Sequence, residues 1–409
     1  GPVHLQFKGN EGQVDQENFN ENLNSKIDST FTKVPPYRIK GDPESIKKGL
    51  ELLQDAKKPV IVIGGGAKWS SAGDSIAKLA DILQIPMVTS LNGKDTLTSN
   101  NKLNMGVVGT YSRASANRVV VEADFVLFIG TDLGGMITNF WTTPKIGIPA
   151  IQIDTDPEVM GRNYPLKVSI LGDAKLTIDE MVERADPGTA SSRAEWINKV
   201  KGYSDAWYLE YNSLLTSDAV PIRPERICHE LSKNLPDDAV VVVDTGHGGM
   251  WMGGMYDLKS PKQNYMRSGG HLGWAFPAAL GAKSAVPDRP VVCFTGDAGF
   301  WYHIGEIETA VRWNINAVIV VNNNRSGNQS KRGFDRVYGG EQTEKAREMW
   351  TFGEVNFAKV AESIGALGLR VEKPGDFAPA LAKAIDAKRP VIIDVVTDID
   401  ALAPLAYTI

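Results

Sequence analysis

The chain has 409 residues, room for two or three domains at roughly 100–200 residues each, and its 42% hydrophobic and 23% charged content excludes global disorder. With 44 Lys and Arg against 49 Asp and Glu, a net charge of −5, it lacks the basic surplus of a nucleic-acid binder. Its longest apolar runs, such as Ala239–Val243 and Ala317–Val321, fall far short of a ~20-residue membrane span, and two cysteines, Cys228 and Cys293, make neither a disulfide framework nor a metal knuckle, so a soluble, cytoplasmic protein with no membrane partner is expected.

In chain order, Val3–Phe7 alternates apolar and polar residues and reads as a short strand entered through Gly1-Pro2, without a charged-then-apolar leader pattern. A strand so early needs partners from elsewhere. Gly9–Asn24, rich in Asn, Glu and Gln, reads as linker, and Pro35-Pro36 closes it. From Asp42 the pattern turns α/β: a helix over Pro43–Leu53, a strand over Pro59–Ile63 running into Gly64-Gly65-Gly66, a helix over Ser71–Leu83 and a strand over Pro86–Thr89. Strands over Phe125–Ile129 and Ala150–Ile153 end at Gly130 and Asp154. Ala185–Ser192, with small residues, Pro and Gly, suits a domain boundary.

A second α/β unit follows. Helices are expected over Arg223–Leu235, Ala275–Ala285, Ile304–Trp313, Phe357–Ile364 and Phe377–Ala384, and strands over Ala239–Val243, Val291–Thr295, Ala317–Val321 and Pro390–Val396. Strands alternating with helices predict an α/β protein with two open parallel sheets. Ligands of such sheets bind beyond the carboxyl ends of the strands. There the second unit places Asp244–Gly249, Gly296–Gly299 and Asn322–Gly327. Glycines let backbone N–H groups approach an anion, and a helix starting after Ala298 would offer its positive end. Asp and Asn oxygens without a His/Cys set suit Mg2+ completed by phosphate oxygens. Each loop alone is explained by ordinary turn composition; three converging in one sheet point to a Mg2+–diphosphate site.

The order of these pieces carries a resemblance. Gly296-Asp297-Ala298, then a helix and a strand, then Asn323-Asn324 resembles the thiamine diphosphate (ThDP) fingerprint. Ser268–Ala282 resembles the glycine-rich loop and helix preceding it in acetolactate-synthase-like enzymes, and Asp244–Trp251 is similar to their diphosphate loop. The chain thus resembles the ThDP-dependent acetolactate synthase/pyruvate decarboxylase group, from about residue 40 to 400.

The resemblance implies a Rossmann-like central domain over 37–186 and a ThDP diphosphate- and Mg-binding domain over 187–409. Residues 1–36 would hold the closing strand of a pyrimidine-binding domain plus a linker. Asp297 and Asn324 would be Mg2+ ligands with the Ser326 carbonyl; Asn323 is the one-residue alternative, and ungapped counting favours Asn324. Gly246, His247, Gly248, Ala298 and Gly299 would line the diphosphate, with Gly296 and Gly327 in the same turns. Gly270 and Leu272 would meet the aminopyrimidine through their backbones, the Leu272 side chain acting as the wedge that bends ThDP. Leu at 272, often Met in relatives, and Ala at 298 in place of Gly are departures. A Glu of the pyrimidine-binding domain would activate ThDP; no residue here matches its motif. That domain is expected from a homo-oligomer (dimer or tetramer) or a partner chain, and these 409 residues alone are expected to show no turnover.

His271 and His247 read as proton-transfer residues, His303 less directly; the competing reading has them bind backbone or diphosphate. Arg325–Glu354 reads as a mobile cover. Asp400–Ile409 has the Pro and apolar content of a packing segment. FAD, where the resemblance brings it, would use Gly64–Gly66, Thr89–Leu91, Gly106–Gly109, the Gly130 turn, Asp154 and Asp173, though Gly130–Met136 replaces an arginine-containing turn and Val108–Tyr111 departs from a His-Gly loop. The expected function is that of a lyase or transferase: cleavage or ligation of a C–C bond next to a carbonyl, with a 2-oxo acid donor. The alternatives are hydrolytic opening of a cyclic 1,2-diketone, as in the cyclohexane-1,2-dione hydrolase branch, and a non-catalytic flavin- or nucleotide-binding relic.

Overall fold

A computed structural model describes residues 29–33, 35–267 and 269–406. Its described strands build two six-stranded sheets, every pairing parallel. The chain divides into two units, Gly1–Arg38 and Ile39–Ile409. Of the first, a short 3-10 turn at Ser29–Thr32 is described; the strand expected at Val3–Phe7 and the linker Gly9–Asn24 lie outside the described residues, as does Ser268.

The first sheet holds β1 (Pro59–Ile63), β2 (Met87–Thr89), β3 (Asn104–Val107), β4 (Phe125–Ile129), β5 (Ala150–Asp154) and β6 (Val168–Leu171), in the order β3-β2-β1-β4-β5-β6. This is the doubly wound order, with its crevice between β1 and β4. The strand residues alternate between two layers. Ile61, Ile63, Leu127 and Ile129 face helices Pro43–Asp55, Gly73–Leu83 and Ala174–Arg184; Val60, Val62, Val126 and Phe128 face Ala114–Glu122 and the start of Ala194–Leu215. Covering both faces explains the unbroken apolar runs in β1 and β4.

The second sheet holds β7 (Val240–Val243), β8 (Asn264–Arg267), β9 (Val291–Gly296), β10 (Val318–Asn323), β11 (Leu367–Val371) and β12 (Val391–Val396), in the order β11-β12-β10-β9-β7-β8. Val241, Val243 and Phe294 pack toward helices Pro224–Asn234, His247–Met255 and Phe377–Asp386, in a core that also takes in Leu91 and Val107 of the first half. Val240, Val242 and Cys293 face Ala275–Ala285, Glu306–Arg312 and Phe357–Ile364. Because β7, β9 and β10 are neighbours, the three expected loops emerge side by side.

Several elements differ from expectation. The helix read at Ser71–Leu83 starts at Gly73, after a separate short helix Gly65–Trp69. Strands β3, β6, β8 and β11 carry polar or half-exposed positions and gave no apolar run to read. Helix Ala194–Leu215 was also unexpected, since only Trp196, Ile197, Val200, Trp207 and Leu215 of it are buried. The 185–192 segment leads through a 3-10 turn, Pro187–Arg193, into Arg193. That guanidinium is fully buried and donates to the carbonyls of Leu53, Gln54, Ala56 and Leu83, capping two helix ends. Both cysteines are free and buried. Among the described residues no helix is long and apolar enough to cross a membrane.

Candidate functional site

Asp244 follows the carboxyl end of β7 directly and is almost wholly buried. Its Oδ1 accepts the N–H groups of Thr245 (2.8 Å) and Gly273 (3.0 Å), and its Oδ2 accepts the Thr295 hydroxyl (2.7 Å). One carboxylate thus joins the end of β7, the last residues of β9 and the loop after β8. Burial raises its pKa, and these hydrogen bonds oppose the rise. Gly273 must be glycine: its φ is +89°, and a Cβ would stand 2.9 Å from the Gly299 carbonyl.

After Gly246, at φ +80°, the chain turns helical at His247, where the sequence reading expected an open loop. Glycines disfavour helix, but burial along all of His247–Met255 overrides propensity. His247 is 7% exposed, sits edge-on to Trp251 at 5.6 Å, and neither ring nitrogen has a partner among the described residues. Burial, helped by the Arg332 charge, pushes its pKa down to about 4, so the ring is neutral at neutral pH. Gly248 lies in the same buried turn.

Gly296 closes β9 and Asp297 opens helix Asp297–Tyr302. The helix begins at Asp297 rather than after Ala298 as expected, because a carboxylate suits the first helical turn. Asp297 is 2% exposed; its Oδ1 accepts Ala298 N–H at 2.7 Å and its Oδ2 accepts Ser326 N–H at 3.2 Å. Burial pushes its pKa up to about 7. Strand alternation separates the asparagines. Asn323 donates to Asp394 Oδ1 (2.8 Å) and the Val355 carbonyl (3.0 Å), whereas the buried Asn324 side chain has no hydrogen bond among the described residues. Segment 350–352 shapes the turn after it: Ser326 bridges to Thr351, Gly327 N–H donates to the Trp350 carbonyl (2.7 Å) and Phe352 N–H to the Arg325 carbonyl (2.8 Å). A buried carboxylate, a buried amide and turn carbonyls are hard oxygen donors that fit Mg2+ with phosphate. Among the described residues no group of three or more His, Cys, Asp and Glu could hold a metal.

His271 and Leu272 stand at the exposed end of the loop, Leu272 38% exposed. Leu272 Cδ1 and Gln329 Oε1 would lie 4.0 and 3.4 Å from a Cβ at Gly246, so both flank the turn. Gln329 was not foreseen; only the folding of 325–354 brings it there. His303 packs beside Gly273. The Arg325–Glu354 segment holds helices Asn328–Val337 and Glu344–Glu348. The first is tied to the tail: Asn328 donates to the carbonyls of Ile399 (3.1 Å) and Ala401 (2.7 Å), Lys331 pairs with Asp400 (2.7 Å), and Arg332 donates to the Ala403 carbonyl. Residues 407–409 lie outside the described residues.

The residues expected to hold FAD divide. Gly65, Leu91 and Gly130 line a cavity of about 440 Å³ at the ends of β1, β2 and β4. Gly64 instead packs on the Gly130 backbone, where a Cβ would meet its carbonyl oxygen at 2.1 Å. Asp173 caps helix Ala174–Arg184 through Leu176 N–H (3.1 Å) and takes the Ser70 hydroxyl (2.9 Å), and Asp154 folds onto the N–H groups of Thr155 and Asp156.

Two family models match the chain: the thiamine pyrophosphate enzyme central domain over residues 46–181, and the thiamine pyrophosphate enzyme C-terminal TPP binding domain over 244–395. The probable acetolactate synthase large subunits of Methanococcus aeolicus and Methanocaldococcus jannaschii are 33% and 30% identical, each over 97% of this chain and 67% of their own. A sulfoacetaldehyde acetyltransferase of Castellaniella defragrans is 30% identical over 87% of this chain and 62% of its own. The chain therefore spans about two thirds of the length of these relatives.

Proposed function

Because the chain belongs to the thiamine pyrophosphate enzymes, we propose that it holds Mg2+ and ThDP at the ends of β7, β9 and β10, as part of an enzyme that joins or cleaves a C–C bond next to a carbonyl, with a 2-oxo acid donor. When bound, ThDP supplies the electron sink for that bond. The observation that carries the reading is the buried Asp297 carboxylate, bonded to Ser326 N–H across two strand ends, beside an Asn324 amide with no partner among the described residues. Asp297, Asn324 and the Ser326 carbonyl are the proposed Mg2+ ligands. His247, neutral and without a ring partner among the described residues, would donate an N–H to the diphosphate lined by Gly246, Gly248, Ala298 and Gly299; its burial and low pKa favour this over proton transfer. His271, at the loop's open end, is then the proposed proton-transfer group. Leu272, over the Gly246 turn, is the proposed wedge, with Gly270 beside it.

The large-subunit names of two relatives support C–C ligation and support completion of the site by a second copy or a partner chain. No step here needs flavin. The test is Mg2+-dependent ThDP binding, followed by intrinsic fluorescence. Asp297→Ala should abolish it, and unchanged affinity in that variant would remove the site from these loops.

A further inference from the structure

Arg267 is the last residue of β8, directly before the loop that carries Gly270 and Leu272. Its Nη2 lies 3.4 Å from the hydroxyl of Thr245, the residue before Gly246. The guanidinium carbon sits 5.2 Å from the Tyr111 ring centroid, and Nε is buried with no hydrogen-bond partner among the described residues. No carboxylate pairs with this arginine among them. A guanidinium offers five donors in a planar fork, and here it holds one long bond and one aromatic face.

It lines the cavity of about 440 Å³ with Ser90, Asn92, Thr131, Tyr111 and the exposed Asp132, whose carboxylate is open to water, and also borders a second cavity of about 500 Å³ with Lys68 and Trp274. The first volume suits a small polar molecule. A half-buried guanidinium beside it, its Nε buried, favours an anion with two coplanar oxygens, bound by paired, charge-assisted hydrogen bonds. We propose that Arg267 anchors the anionic group of the carbonyl substrate, placing the substrate between the first sheet and the cofactor turn. The proposal rests on the ThDP reading of the neighbouring loops and adds the residue that would hold the carboxylate of the oxo acid and select it over a neutral carbonyl compound. The Tyr111 ring and the Thr245 hydroxyl hold the head group in place before substrate arrives, so little freedom is lost on binding.

The test uses the chain with Mg2+ and ThDP, and calorimetric titration with pyruvate, neutral butane-2,3-dione and inorganic phosphate. Arg267→Gln should weaken pyruvate binding about tenfold or more, and Arg267→Lys should restore part of it. Butane-2,3-dione should bind both variants as it binds the unaltered chain. Mg2+-dependent ThDP binding should be the same in all three proteins, which shows that the variants fold. Equal pyruvate affinity in Arg267→Gln, or an equal loss for the neutral dione, overturns the proposal. So does phosphate binding that pyruvate cannot displace, which assigns the cavity to free phosphate. Flavin that accompanies the protein and is lost in Arg267→Gln assigns the guanidinium to a cofactor diphosphate and overturns it too. Failure of the unaltered chain to bind ThDP sinks the cofactor reading instead, and the pyruvate titration on the cofactor-free chain still decides the role of Arg267.

Discussion

Asp244 and Gly273 are joined through both carboxylate oxygens, which lie 3.0 and 3.1 Å from the same backbone nitrogen. The bond holds the loop after β8 against the ends of β7 and β9, so the two halves of the proposed cofactor site share one buried anchor.

Removing that anchor should cost both stability and affinity. Asp244→Ala strands buried donors on Thr245, Gly273 and Thr295, and a loss of about 2–4 kcal/mol is expected, measured by urea denaturation. Asp244→Asn keeps one acceptor but turns an amide donor toward another donor. It should lose less stability and still weaken Mg2+-dependent ThDP binding. Affinity unchanged in both variants would show that the loop needs no anchor.

The neighbouring asparagines should separate. Asn323→Ala breaks bonds to Asp394 and Val355 and should lower stability by about 1–2 kcal/mol while leaving Mg2+ affinity near its original level. Asn324→Ala should do the reverse, weakening Mg2+ about tenfold or more with little change in melting. The opposite pattern in paired titration and denaturation would transfer the ligand role to Asn323.

Acid should act through His247. Its pKa is about 4 in the folded chain against an ordinary 6.5, so between these values the unfolded chain binds a proton that the folded chain refuses. Stability is fully present above about pH 6.5 and is lost as pH falls toward 4, by up to about 3 kcal/mol. His247→Leu should flatten this part of the profile. Parallel stability–pH curves for the two proteins would contradict the assignment.

Gly64→Ala should harm the first sheet. The added methyl would meet the Gly130 carbonyl oxygen at 2.1 Å, backbone against backbone, and a loss of about 1–3 kcal/mol is expected. Hydrogen exchange should show it in β1 and β4, with β7, β9 and β10 still protected. Uniform loss of protection would mean that the two sheets unfold as one.

Much of this was legible in the chain. Pro59–Ile63 and Phe125–Ile129 are apolar throughout because both faces of a parallel strand are buried, and the spacing from Asp297 to Asn324 marks two neighbouring strand ends. Where signals were weak, the reading lapsed: β8 is four residues with Arg267 at its end, and nothing local marks it as a strand. Arg267 drew no notice because its partner ring, Tyr111, is far away in the chain.

Local pattern, then, determined the fold class, the ends of the apolar strands and the residue types of the proposed cofactor loops, since burial periodicity and turn chemistry are written within a few residues. The tertiary structure decided the pairings: Asp244 with Gly273, Asp297 with Ser326, Asn323 with Asp394, and Arg267 with Tyr111. Those depend on strand order and register, which set distances between segments remote in the chain, and a buried polar group takes whichever partner that arrangement brings within reach.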